Sequence, residues 1–215
     1  MLVLAGLVAC ATQPTNRSLV VRTAPKVSEF TFASQAPLSG ADEFAPWTTL
    51  STVNAGETAA LEGCITERDH CENSHLLRYR RLLERAAQLE PLEQLDLVHA
   101  YFNSVEQTLP QDSSWASLYQ VASTNTADCK GIALGKYFTL RRLGWSAEDL
   151  RVVMNWDDHE LDWHALLAVR SGDGTYVLDS ILGLQRPRDF AYGYMVYSIS
   201  EIGIWDHAPD FVPVP

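Results

Sequence analysis

The chain has 215 residues, 47% of them hydrophobic and 20% charged, enough to bury one good core and too few to promise two. Its 16 basic residues stand against 27 acidic ones, a net charge of −11 with no basic run or stripe, which argues against a nucleic-acid partner.

Residues 1–9 (MLVLAGLVA) form an apolar run too short to span a bilayer but long enough for the core of a signal peptide. Leu7-Val8-Ala9-Cys10 looks like a bacterial lipobox, in which the cysteine thiol carries the lipid. No Lys or Arg precedes the run, so a chance match is the competing reading, and lipid attachment through Cys10 in the bacterial envelope is the preferred one. The expected organisation is therefore a leader over residues 1–10, an irregular tether rich in Thr, Ser, Pro and Ala over 11–47, and one domain over 48–215.

Residues 74–89 and 92–109 carry apolar positions at helical spacing and are separated by Pro91, which predicts a helical pair. A polar stretch containing Trp115 leads to a third helix over 129–143, ended by Gly144. Beyond it the period changes to short runs rich in β-branched and aromatic residues at 150–154, 163–170, 175–179 and about 194–199, which read as strands. Helices followed by an antiparallel sheet define an α+β layout.

Cys64 and Cys71 lie close together and read as a disulfide in an oxidising compartment; a zinc site with His70 and His75 is the rival, although adjacent His70 and Cys71 fit ligand spacings poorly. That leaves Cys129, either a small buried hydrophobe or a working thiol. It opens a helix, where backbone N–H groups and the helix dipole favour a thiolate and can hold an oxyanion.

A thiol nucleophile needs a base and a group to orient that base. His164 and Asp179 fall on neighbouring predicted strands, and a hairpin with an even-numbered loop turns both to one side. They are directly opposite if the loop is centred between Ser171 and Gly172, and diagonal, about 5 to 8 Å apart at Cβ, if it is centred one residue later. An odd loop without a bulge separates them. A core histidine and a strand-end aspartate are the plainer alternatives. His99, His159 and His207 are weaker candidates for the base.

Trp115, the Ala127-Asp128-Cys129 entry to a helix containing Lys136 and Leu140, the Gly144-Trp145 helix end, His164 to Val169, Val177-Leu178-Asp179, and Tyr197-Ser198-Ile199 ahead of Trp205 occur in this order. In these features the stretch from Trp115 to about Asp206 resembles the bacterial transglutaminase-like cysteine proteinases, which include periplasmic proteases that release adhesins from the cell surface. The resemblance implies a papain-like or transglutaminase-like fold, a Cys129-His164-Asp179 triad and hydrolysis of a protein substrate. It also implies that Trp115 walls the cleft or polarises a carbonyl, core packing being the alternative.

Family members usually carry acidic residues after the nucleophile that, with the preceding Asp, resemble a calcium site, whereas Lys130 and Gly131 stand here. Asp128 alone is a poor ligand set, so no cofactor is expected. The ammonium of Lys130 would then supply the positive charge beside Asp128, unless it points into solvent. The acidic run at 157–162 is a second-choice cation site. An envelope cysteine endopeptidase is the first functional reading. Acyl transfer to an amine, and a catalytically silent peptide-binding module, are the alternatives.

Overall fold

A computed structural model describes residues 24–32, 36–109, 114–160, 162–172, 174–190 and 193–208. The expected leader and the lipobox cysteine Cys10 lie outside the described residues.

Three helices come first: α1 (Ala45–Thr66), α2 (Ser74–Ala86) and α3 (Pro91–Asn103). Asn73 caps α2 by accepting from the N–H groups of His75 and Leu76, and Pro91 starts α3 where its missing N–H costs nothing. The predicted helix over 92–109 stops at Asn103, and a two-residue strand β1 (Glu106–Gln107) follows. α4 (Leu118–Thr124) and β2 (Thr126–Ala127) lead into α5 (Cys129–Arg142), which ends at Leu143 with Gly144 following in the left-handed region. β2 pairs in parallel with β1, tying the entry of α5 to the exit of α3.

The remaining strands are β3 (Leu150–Asp157), β4 (Asp162–Ser171), β5 (Gly174–Leu178), β6 (Tyr194–Ser200) and β7 (Gly203–Asp206). They form one antiparallel sheet in the order β5-β4-β3-β6-β7, so the α+β expectation holds. One face packs on the helices through Leu150, Val152, Met154, Ala165, Leu167 and Leu178. Gly135 on α5 lets the ring of Phe102 lie against the helix backbone, since a Cβ there would come within 2.3 Å of it. That close approach docks α3 on α5 beside the sheet.

The second sheet face is buried by Val27, Phe30 and Phe190 against Val153, Leu166, Val177 and Met195. Residues 24–32 and 36–47, expected as part of a tether, are largely irregular in backbone yet pack on the body. Complete burial of Val27 and near-complete burial of Phe30 contribute roughly 1.5 to 3 kcal/mol each. Trp47, expected at the end of the tether, lies in the first turn of α1 and packs against Tyr137 and Phe138 of α5.

The candidate active site

The site is assembled at the head of α5 and the edge of the sheet. Asp128 is the N-cap of α5; its Oδ1 accepts from the N–H of Gly131 at 2.8 Å. Cys129 is the first helical residue and is 4% exposed. Its side chain is hydrogen-bonded to the imidazole of His164.

His164 comes from β4. Ser171 pairs with Gly174 and Leu167 with Leu178, so the β4–β5 hairpin has an even loop in the second of the two anticipated registers, which makes residues 164 and 179 diagonal neighbours. Asp179 directly follows β5, and its Oδ2 lies 2.5 Å from Nε2 of His164. With Nε2 so engaged, Nδ1 is the ring nitrogen left for the thiol. Cys129, His164 and Asp179 thus form one continuous chain of contacts.

Burial by itself would strip the proton from His164, but its hydrogen bonds to Asp179 and Cys129 outweigh that and push the imidazole up to about 10. Burial likewise favours a neutral Asp179; the hydrogen bond and charge of His164, with the N–H groups of Ile181 and Leu182, win and hold the carboxyl below its ordinary range. Those N–H groups donate to Oδ1 at 2.7 and 3.1 Å. The pair is thereby set as carboxylate and imidazolium.

A supporting layer surrounds the pair, in roles the sequence did not assign to its residues. The turn after Asp179 is gripped from α3: Nε2 of His99 lies 2.8 Å from the carbonyl of Leu182, and Asn103 Nδ2 donates to the same oxygen at 3.2 Å. Lys136, in the middle of α5, donates from Nζ to the carbonyl of Asp179 at 2.7 Å. Asn155, the cross-strand partner of His164, is completely buried, and its amide makes no hydrogen bond among the described residues.

Trp115 is 8% exposed and packs against Phe44 and Trp47, with its indole N–H buried and without a partner among the described residues. Core packing therefore accounts for its ring. Cys64 and Cys71 form a disulfide, which removes both sulfurs from the rival zinc set. Cys64 is in the last turns of α1.

The residues around Asp128 fit calcium poorly. Lys130 does not point into solvent: it is 1% exposed and its Nζ lies 2.5 Å from Asp128 Oδ2. A Cβ at Gly131 would meet Ala127 Cβ at 3.0 Å and Ala116 Cβ at 3.4 Å, leaving no room for a carboxylate there. An ammonium and a packed glycine cannot supply the six to eight oxygens that calcium takes. Two carboxylates of the second-choice acidic run hold backbone instead: Asp157 accepts from the N–H groups of His159 and Glu160 in its own turn, and Asp158 accepts from that of Gly193 on a distant loop. Among the described residues no three His, Cys, Asp or Glu side chains converge as a metal site.

A family model described as bacterial transglutaminase-like cysteine proteinase matches residues 53–201. Three solved structures of Legionella pneumophila LapG are similar in fold. The calcium-bound form is 21% identical with a TM-score of 0.58, over 61% of this chain and 77% of that one. A second structure of LapG is 20% identical with a TM-score of 0.61, over 68% and 85% of the two chains. The EGTA-treated form is 18% identical with a TM-score of 0.59, over 82% and 90%. Comparison with curated proteins gave no match.

Proposed function

Given that the chain belongs to the bacterial transglutaminase-like cysteine proteinases and is a cysteine peptidase, we propose that it is an endopeptidase whose nucleophile is Cys129, whose acid and base is His164, and whose orienting group is Asp179. One observation carries this reading: a single imidazole is hydrogen-bonded to the Cys129 thiol on one side and to the Asp179 carboxylate on the other.

The chemistry follows from that chain of contacts. The Cys129 sulfur attacks the peptide carbonyl carbon and forms a C–S bond, with the developing oxyanion facing the N–H groups at the head of α5. His164, held as imidazolium, gives its proton to the amine as the C–N bond breaks. Water then attacks the thioester carbonyl and gives one proton to His164; the C–S bond breaks, regenerating the thiolate and releasing a carboxylic acid that loses its remaining proton to solvent. Asp179 stays ionised throughout and holds the ring.

The reaction as proposed runs without a metal. Lys130 already supplies a positive charge against Asp128, where a cation would otherwise be required. LapG is known in calcium-bound and EGTA-treated forms; the Lys130 and Gly131 positions of this chain support a different solution.

The proposed setting is the bacterial envelope, with a surface protein as substrate and attachment through Cys10. The Cys64–Cys71 disulfide supports an oxidising compartment. No helix among the described residues is long and apolar enough to cross a membrane. The test compares the wild type with Cys129→Ala on an envelope-protein extract, with a primary amine added in a parallel reaction. A fragment released only by the wild type, carrying a free carboxylate and no amine adduct, is the expected result. Identical patterns from both proteins would end the peptidase reading, and an amine adduct would make the enzyme a transferase.

A further inference from the structure

Lys136 is the second fully buried lysine of α5, and unlike Lys130 it has no close ion-pair partner among the described residues: it donates to the main-chain carbonyls of Asp179 at 2.7 Å and Leu178 at 3.4 Å. Taking an ammonium out of water costs several kcal/mol, and two carbonyls repay that only in part. Its surroundings explain why it is there. In the thiolate–imidazolium state the site holds the sulfur of Cys129, the ring of His164 and the carboxylate of Asp179, which sum to one negative charge in a nearly closed space. The ammonium at the back of Asp179 cancels that charge.

Resting on the triad reading above, we propose that Lys136 is the positioning and charge-balancing residue of the site, fixing Asp179 by its carbonyl and offsetting the net negative charge of the reacting set.

The titratable groups facing it are Asp179 after β5 and His99 on α3. Burial and the Lys136 charge pull His99 down to about 4, so it is neutral and donates from Nε2 to Leu182 without adding to the balance. Burial pulls Lys136 down to about 7 against the opposing charge of Asp179. Because its unfolded value is the ordinary 10.5, Lys136 weakens the fold at every pH below that, fully so below about 7. A residue that lowers stability suits a functional role rather than a structural one.

The experiment measures the rate of Cys129 alkylation by iodoacetamide against pH in the full chain, for the wild type, Lys136→Met and Lys136→Gln. Removing a positive charge makes every nearby proton harder to lose. Both variants are therefore expected to move the acid limb of the profile up by about one pH unit. Lys136→Met should melt at the same temperature as the wild type or higher at pH 6, since it removes a buried charge. Lys136→Gln keeps a donor for the Asp179 carbonyl and loses only the charge, so it reads the proposal even where Lys136→Met does not fold. An unmoved acid limb in a folded variant overturns the proposal, as does a large loss of stability with the limb in place. A wild type with no acid limb below pH 7 breaks the triad reading, and this proposal with it.

Discussion

The helix side and the sheet side of the site are built by different physics. Cys129 is positioned by its nearest neighbours in the chain: Asp128 caps the helix, Lys130 pairs with the cap, and Gly131 lets the following turn pack against Ala116 and Ala127. His164 and Asp179 are 15 residues apart and meet only through the register of the β4–β5 hairpin, with His99, Asn103 and Lys136 reaching in from α3 and α5. The helix side is a local device whose failure should cost stability. The sheet side is a tertiary device whose failure should cost activity.

Asp179→Asn tests the sheet side and gives the largest expected effect. The amide cannot hold an imidazolium, and kcat/KM on a cleaved substrate should fall by about 10³ to 10⁴ with far-UV CD unchanged. A fall of less than tenfold would remove Asp179 from the mechanism. The pH profile comes next. In the proposed mechanism His164 carries the proton that releases the amine, so kcat should hold through neutral pH and decline about tenfold per unit above about 10, where the ring loses that proton. A decline already complete at pH 7 would mean that Asp179 and Cys129 do not hold the charge on the ring.

The helix side is broken by Lys130→Met. It strands a mostly buried Asp128 carboxylate and should cost about 3 kcal/mol, a melting temperature lower by roughly 6 to 12 °C. Adding Asp128→Asn should return part of that loss, because the neutral side chain still caps the helix. If Lys130→Met were neutral, the pair would not be structural. Calcium removal has the smallest expected effect: excess EGTA should change proteolysis less than twofold, and a sharp loss would show that a cation is needed despite Lys130.

The same division governs what could be read from the sequence. α5, its glycine stop and the strands β3 to β6 were visible because their signals are local, apolar spacing at 3.6 or 2 residues and Gly144 after the last turn, whereas β7 and the two-residue strands β1 and β2 were not read. The pairing of His164 with Asp179 rested on parity: an even loop allowed two registers that both bring them to one face, an odd loop separated them, and only the folded hairpin, with Ser171 opposite Gly174, decides. α1 was missed because its buried residues cluster at its ends, Trp47 and Leu50 at one and Leu61 and Cys64 at the other, with a polar, Ala-containing middle between them. α4 is two turns long and announces itself only through the Ser117 and Gln120 capping pair.

The supporting roles of His99, Asn103 and Lys136 were not legible, although His99 and Lys136 stand out in the sequence for other reasons. Nothing near His99 in the chain points to Leu182, and a lysine in mid-helix ordinarily reads as a solvated face. Gly135 against Phe102 makes the α3 approach possible, a contact that only the folded arrangement defines.

The most direct test of the whole account is the alkylation rate of Cys129 by iodoacetamide at pH 6, in the wild type and in His164→Gln. An ordinary thiol is only about 0.3% thiolate at that pH. The account predicts that wild-type Cys129 reacts at least about tenfold faster than an unactivated thiol, and that His164→Gln returns it to the ordinary rate. Equal and slow labelling of both proteins would contradict it.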